Sequence, residues 1–137
     1  MSLPTVPNEA QMKAFMERGP TGPFVMVNLL KYRERSQYPE GSGHAPCPGR
    51  EAYGRYGAVA LEHVGKAGGR IVWGGARRLT IIGGAQDDWD DVVCVFYPGR
   101  DAFLNMIANP DYLVATIHRT AALERTALLC CDPGSAA

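Results

Sequence analysis

The sequence predicts an α+β fold of the ferredoxin-like type, a βαββαβ chain with a four-stranded antiparallel sheet and an extra N-terminal helix. Three observations carry this. Short apolar runs bounded by Gly and Pro recur at 24–32, 70–82, 90–97 and 127–131, and each is too short for a core helix. The segments after the first and third runs place apolar residues three or four apart, the spacing of a helix with one buried face. The second and third runs are separated by a glycine-containing turn alone, so they pair antiparallel.

The elements follow in order. Asn8, with Gln11 three places on, is a capping box that opens a short helix carrying Met12, Phe15 and Met16 on one face, and Gly19-Pro20 stops it. Phe24 to Tyr32 is the first strand, interrupted by Asn28. Residues 33 to 49 hold Pro39, Gly41, Gly43, Pro46, Pro48 and Gly49, a composition for a long loop. Glu51 to Lys66 is the second helix, with Tyr53, Tyr56, Ala60, His63 and Val64 along one side and Gly68-Gly69 beyond its end. Arg70 to Ile82 is predicted as one long strand bent at Gly74-Gly75, and Asp90 to Tyr97 as its partner. A third helix carries Phe103, Met106 and Ile107; Asn109-Pro110 breaks the chain, and Tyr112 to Thr120 is helical again. Ala127 to Cys131 is the last strand. The organisation is one domain over 1–137: leader and helix 1–22, core 23–131, tail 132–137.

Composition narrows the function classes. Lys+Arg and Asp+Glu both number 14, so the chain lacks the net positive charge that nucleic acid or an anionic membrane surface requires. No stretch is long and apolar enough for a membrane span, and the N-terminus has no basic start followed by an apolar run, so a cytoplasmic location is expected. Cys47, Cys94, Cys130 and Cys131 show neither zinc nor disulfide spacing, and Cys94 and Cys130 are expected as small buried hydrophobes. His44, His63 and His118 lie on separate elements, so no metal and no cofactor is expected. The aspartates around Trp89 lack the offsets of a calcium loop and are read as a solvated turn.

The first strand is apolar on both sides. Val25, Val27 and Leu29 alternate with Phe24, Met26, Asn28, Leu30 and Tyr32, and helices on one side of a sheet shelter just one set. The set with Phe24, Met26 and Leu30 is expected on the uncovered side, where a second copy of the chain covers it.

Met26-Val27-Asn28-Leu29-Leu30-Lys31-Tyr32, Tyr56-Gly57, Gly68-Gly69, Trp73-Gly74, Trp89-Asp90, Tyr97-Pro98 with Arg100 and Phe103, Asn109-Pro110-Asp111-Tyr112 and Arg119 together resemble the bacterial family called domain of unknown function 1330. The resemblance runs from about Phe24 to Cys131. It implies membership of the dimeric α+β barrel superfamily, in which two sheets meet face to face. Relatives there include cofactor-free monooxygenases, lactone isomerases, dehydratases and haem-dependent enzymes. The 33–49 loop and the leading helix depart from the pattern.

Six residues are the candidate site. Asn28, an amide in an apolar strand, must find partners on folding, either a ligand or a neighbouring loop. Tyr56 and His63 share a helix stripe and are the candidate proton carriers; a packed helix face is the structural alternative. Trp73, Tyr112 and Arg119 suit an organic acid held against an aromatic wall, whereas an Arg119 salt bridge to Glu124 or Asp111 is the structural alternative. The leading expectation is a homodimer binding a small, partly apolar molecule between sheet and helices. The second is a cofactor-independent monooxygenase, isomerase or dehydratase, and the third a structural dimer with a filled interior.

Overall fold

A computed structural model describes residues 4–136 of the chain. It is an α+β fold: α1 (Glu9–Arg18), β1 (Phe24–Tyr32), α2 (Gly49–Lys66), β2 (Arg70–Ala76), β3 (Asp91–Tyr97), α3 (Arg100–Ala108), α4 (Pro110–Ala122) and β4 (Leu123–Cys131), with single 3-10 turns at Ala85–Asp87 and Gly134–Ala136. The four strands form one antiparallel sheet ordered β2-β3-β1-β4, as expected for a βαββαβ chain.

Local chemistry sets most of the boundaries. The Asn8 side chain accepts from the Gln11 N–H at 2.8 Å while the Gln11 side chain accepts from the Asn8 N–H at 3.1 Å, the reciprocal cap read from the sequence. Asn109 caps α4 by accepting from the Asp111 N–H at 2.9 Å, with Pro110 in the first turn. Gly68, at φ +82°, turns the chain out of α2. Gly49 opens α2 for a different reason: a Cβ there would lie 2.1 Å from the Arg33 carbonyl oxygen and 2.9 Å from that of Ala122.

Two strands differ in length from the prediction. β2 ends at Ala76, because β3 begins at Asp91 and offers no ladder beyond it; the Arg77 N–H still bonds the Asp90 carbonyl, and the chain then leaves the sheet. The β-branched residues of 79–82 gave a strand-like pattern with no partner strand among the described residues. β4 begins four residues earlier than expected, at Leu123, since Lys31 and Tyr32 of β1 extend their pairing to Arg125 and Leu123.

The faces of β1 are also opposite to the expectation. Phe24, Met26 and Leu30 lie under the helices, with Phe24 and Leu30 fully buried. Phe24 stacks on Tyr97 and meets Phe15 and Phe103 edge-on, in one core with Met26, Val64, Val95 and Met106. The bare face carries Val25, Val27 and Leu29, in register with Phe96, Cys94 and Val92 on β3 and with Cys131, Leu129 and Ala127 on β4. Alternation alone could not say which set meets the helices. The cysteine expectation is corrected too: Cys47, in the loop, is buried, Cys94 is half-buried and Cys130 is exposed.

Candidate functional site

The site grows from the helix-facing side of the sheet. Asn28 sits midway along β1, a central strand, on the side that carries Met26 and Leu30, and it is only half-buried. Its Nδ2 donates to the Val93 carbonyl at 3.2 Å, which fixes the orientation of the amide and leaves Oδ1 and one N–H for another partner. The structural role and the capacity for a ligand therefore coexist.

Helix α2 supplies the facing wall. Tyr53, Tyr56 and His63 follow one another along it because offsets of three and seven return to one stripe. α2 packs along α4, which brings Tyr112 against this stripe: the Tyr56 and Tyr112 hydroxyls are 2.6 Å apart, and the His63 ring meets Tyr112 edge-on at 6.1 Å. Tyr53 continues the row, with ring centroids 5.3 Å from Tyr56 and 5.5 Å from Tyr32.

Charge enters at two points. The Arg119 guanidinium lies beside the Tyr53 hydroxyl and also donates to the Thr5 carbonyl, anchoring the leader to α4. At the far end Tyr32 donates to Asp91 at 2.6 Å, and Arg50 joins the same carboxylate at 2.7 Å while lying over the Tyr32 ring. An open cleft of about 420 Å³ borders this end, between Lys31 to Glu34, Pro48 to Arg50, Asp90 and Glu124.

Burial holds the phenols protonated. Desolvation first, then the neighbouring Tyr112, pushes Tyr56 far above the ordinary tyrosine value; desolvation and the Asp91 hydrogen bond do the same to Tyr32. Tyr53 and Tyr97 also rise, Tyr53 less freely because Arg119 favours its anion. These groups donate hydrogen bonds at neutral pH. The same burial makes loss of the Tyr56 proton unfavourable, so of the two expected proton carriers Tyr56 is held as a neutral hydrogen-bonding phenol.

Five of the six predicted residues, Asn28, Tyr56, His63, Tyr112 and Arg119, lie on the elements that face one another across this region. Trp73 is the correction. A bulge in β2 pairs Ile71 with Val95 but Trp73 with Cys94, which turns Trp73 onto the bare face, where it is 57% exposed. Arg119 makes neither of the expected salt bridges, to Glu124 or Asp111, among the described residues. The aspartates near Trp89 are not merely solvated: Asp88 and Asp90 flank Lys31, and Asp88 also pairs with Arg125. Sequence reasoning left Tyr53 as a helix-face residue, although its position three before Tyr56 marks it for the same row.

No histidine, cysteine or carboxylate cluster with metal-binding geometry occurs among the described residues. None of the helices described is long and apolar enough to cross a membrane.

No protein-family model matches the chain, and no curated protein sequence matches it significantly. Among solved structures, the chain is similar to the methylated RPA0582 protein, with 34% identity and a TM-score of 0.89 over 97% of this chain and 96% of that one. It is likewise similar to the RPA0582 protein of unknown function from Rhodopseudomonas palustris, with 34% identity and a TM-score of 0.85 over 93% of this chain and 95% of that one. A hydroxynitrile lyase from Passiflora edulis shares the fold at 13% identity and a TM-score of 0.53, over 81% of this chain and 93% of that one.

Proposed function

The chain belongs to the same family as the RPA0582 protein of unknown function from Rhodopseudomonas palustris, and from the geometry of the tyrosine row we propose that it is a small-molecule-binding protein whose ligand is a partly apolar organic acid or carbonyl compound held between the sheet and helices α2 and α4. One observation carries the reading: the polar groups along this wall are rich in donors, namely the Tyr53 hydroxyl, the hydrogen-bonded Tyr56 and Tyr112 pair with one O–H to spare, and the Arg119 guanidinium, with the free N–H of Asn28 opposite. Donors set among aromatic rings match an acceptor group joined to an apolar body. Affinity comes mainly from burial of that body, and the donors fix its orientation.

A second reading has its own support. The Tyr56 and Tyr112 hydroxyls share a hydrogen bond and the His63 ring packs against Tyr112, which sets phenol groups and an imidazole around one place and suits a bound carbonyl in a cofactor-independent reaction of the isomerase or dehydratase kind. In that case His63 carries the proton and the Tyr56 hydroxyl steadies the carbonyl oxygen by a hydrogen bond.

We propose further that the working unit is a homodimer joined through the bare sheet face. Trp73, Leu129 and Val72 are exposed there, beside Val27, Leu29 and Cys94, and Leu79, Ile81 and Ile82 extend from the adjoining loop. Apolar surface of this extent is what soluble monomers avoid. Assignment to the domain of unknown function 1330 family and a cytoplasmic setting belong to the same proposal, the latter favoured by four free cysteines.

The test is a thermal-shift screen of aryl and alkyl carboxylates against the matching alcohols and amines. Carboxylates raise the melting temperature of the wild type and fail to do so in Arg119→Gln, since only ligands preferring the native state stabilise it. Equal response to amines, or an undiminished carboxylate response in Arg119→Gln, overturns the binding reading. Turnover of the best hit that disappears in Tyr56→Phe while its binding persists favours the second reading.

A further inference from the structure

Outside this site, the segment 33–48 is held down by a cluster of its own. Tyr38 and His44, both from the segment, lie against His118 of α4: the Tyr38 hydroxyl is 2.7 Å from His118 Nδ1, and the His44 ring is centred 4.7 Å from that of His118 and 4.9 Å from that of Tyr38. From α2, Arg55 Nη1 donates to the same Tyr38 oxygen at 3.1 Å, while its Nη2 pairs with Glu51. Among the described residues, the backbone bonds from the segment to α4 are those of the Arg33 and Gln37 N–H groups, to the carbonyls of Ala122 and Ala121.

The hydrogen bonds have a direction. Arg55 can only donate, so it donates to the phenol oxygen and leaves the phenol proton available to His118 Nδ1, which accepts it in the tautomer that carries its proton on Nε2. That nitrogen accepts only while the imidazole is neutral. Once protonated it becomes a donor, the bond from the phenol proton is lost, and its charge lies close to a second imidazole and a guanidinium. The remaining charged groups do not relieve this: Glu51 is engaged with Arg55, and Arg119, the next residue on α4, is directed to Thr5 and Tyr53.

We propose that Tyr38, His44, His118 and Arg55 form an acid-released latch, which holds segment 33–48 against α2 and α4 near neutral pH and frees it when His118 gains a proton. The segment connects Tyr32 to Gly49, both at the cleft bordering the tyrosine row, so its release changes that boundary. The latch does not depend on the ligand proposed for the row.

The sign agrees. Burial first, then His44 and Arg55, pulls the closed-state His118 below the ordinary histidine value of 6.5. Protons therefore bind the open form more tightly. Closure is fully favoured above that ordinary value and weakens as the pH falls below it, until the closed form is protonated as well.

Amide hydrogen exchange by NMR tests this, corrected for intrinsic rates, at about pH 7.5 and about pH 5. The Gln37 amide, bonded to the Ala121 carbonyl of α4, is expected to lose about tenfold in protection in acid while the β1 amides keep theirs. His118→Asn supplies an uncharged acceptor and is expected to abolish the response; His44→Gln, which removes one of the neighbours that depress His118, is expected to shrink it. The proposal is overturned if Gln37 is equally protected at both values, if either variant responds as the wild type does, or if β1 loses protection in parallel.

Discussion

The Tyr56 and Tyr112 hydroxyls, on helices that the sequence separates by β2, β3 and α3, lie 2.6 Å apart beneath the packed aromatic face of α2. One donates and the other accepts, so removing either oxygen leaves its partner unsatisfied in a desolvated place. Tyr56→Phe and Tyr112→Phe are each expected to lose about 1 to 3 kcal/mol of stability in urea unfolding. The double variant is expected to lose less than the sum, because the second change removes a group that the first had already left stranded. Additive losses would show that the hydroxyls are not coupled.

The raised phenols tie stability to alkaline pH. Tyr32, Tyr53, Tyr56 and Tyr97 all ionise less readily in the folded chain than in the unfolded one. For a group raised on folding, the full contribution is present below the unfolded value and is lost as the pH climbs past it toward the folded one. Stability is expected to fall above about pH 10, by about 1.4 kcal/mol per pH unit for each such tyrosine that stays protonated in the native state. Tyr56→Phe is expected to flatten the slope by one tyrosine. Urea midpoints measured from neutral pH to about pH 11 check both statements.

Much of the fold was legible because its signals are local. Asn8 with Gln11, Gly68 and Asn109-Pro110 act over one turn of chain, and the structure realises each of them. The bulge that turns Trp73 outward is invisible in the sequence, where Ile71 and Trp73 stand two apart and so belong to one face. The same limit hid the sides of β1, since both sets are apolar and the choice depends on which long-range partners the helices bring. Within the site, Tyr56 and His63 were readable from their spacing on one helix. Their meeting with Tyr112 depends on how α2 packs on α4, which no spacing encodes, and the contact of His44 with His118 joins a loop to a helix far along the chain.

Trp73 and the 79–82 segment give a prediction about assembly. Leu79, Ile81 and Ile82 are 63%, 82% and 94% exposed and adjoin the strand that carries Trp73. If a second copy covers them, a charge there is expected to break the association while leaving each protomer folded, because none of these side chains belongs to the core. Sedimentation velocity at micromolar concentration is expected to give a dimer for the wild type and a monomer with unchanged far-UV dichroism for Trp73→Glu combined with Ile81→Asp. A wild type that sediments as a monomer would remove the homodimer from the proposal.

Asn28 separates a structural amide from a binding one. Its Nδ2 bond to Val93 links two central strands that already share their backbone ladder, so replacing the amide by an isobutyl side chain forfeits one partly buried bond and gains apolar contact with Met26 and Leu30. The net change in stability of Asn28→Leu is expected to stay within about 1 kcal/mol. Binding is expected to respond more strongly, because a ligand acceptor facing the substituted side chain would be buried without a donor. Isothermal titration with the carboxylate selected by the thermal-shift screen is expected to show at least about a tenfold loss of affinity in Asn28→Leu. An unchanged affinity in a stabilised variant would assign the amide to the sheet alone and move the ligand away from β1.

Gly49 fixes the cleft end of the same region through its missing side chain. The Arg33 N–H donates to the Ala122 carbonyl at 2.8 Å and the Arg33 carbonyl accepts from the Gly49 N–H at 3.1 Å, so three backbone segments meet where a Cβ would stand. Two of the obstructing atoms are carbonyl oxygens held in these bonds, and neither can turn aside as the end of a flexible side chain would. Gly49→Ala is therefore expected to lose about 3 kcal/mol, with the damage concentrated at the start of α2 and the end of β1. Gly57→Ala, on the same helix with open space around its Cβ, is expected to leave stability unchanged or raise it by about 0.5 to 1 kcal/mol. Urea unfolding of the two variants side by side checks the contrast, and similar behaviour of both would show that the approach of Arg33 to Gly49 is looser than the geometry described.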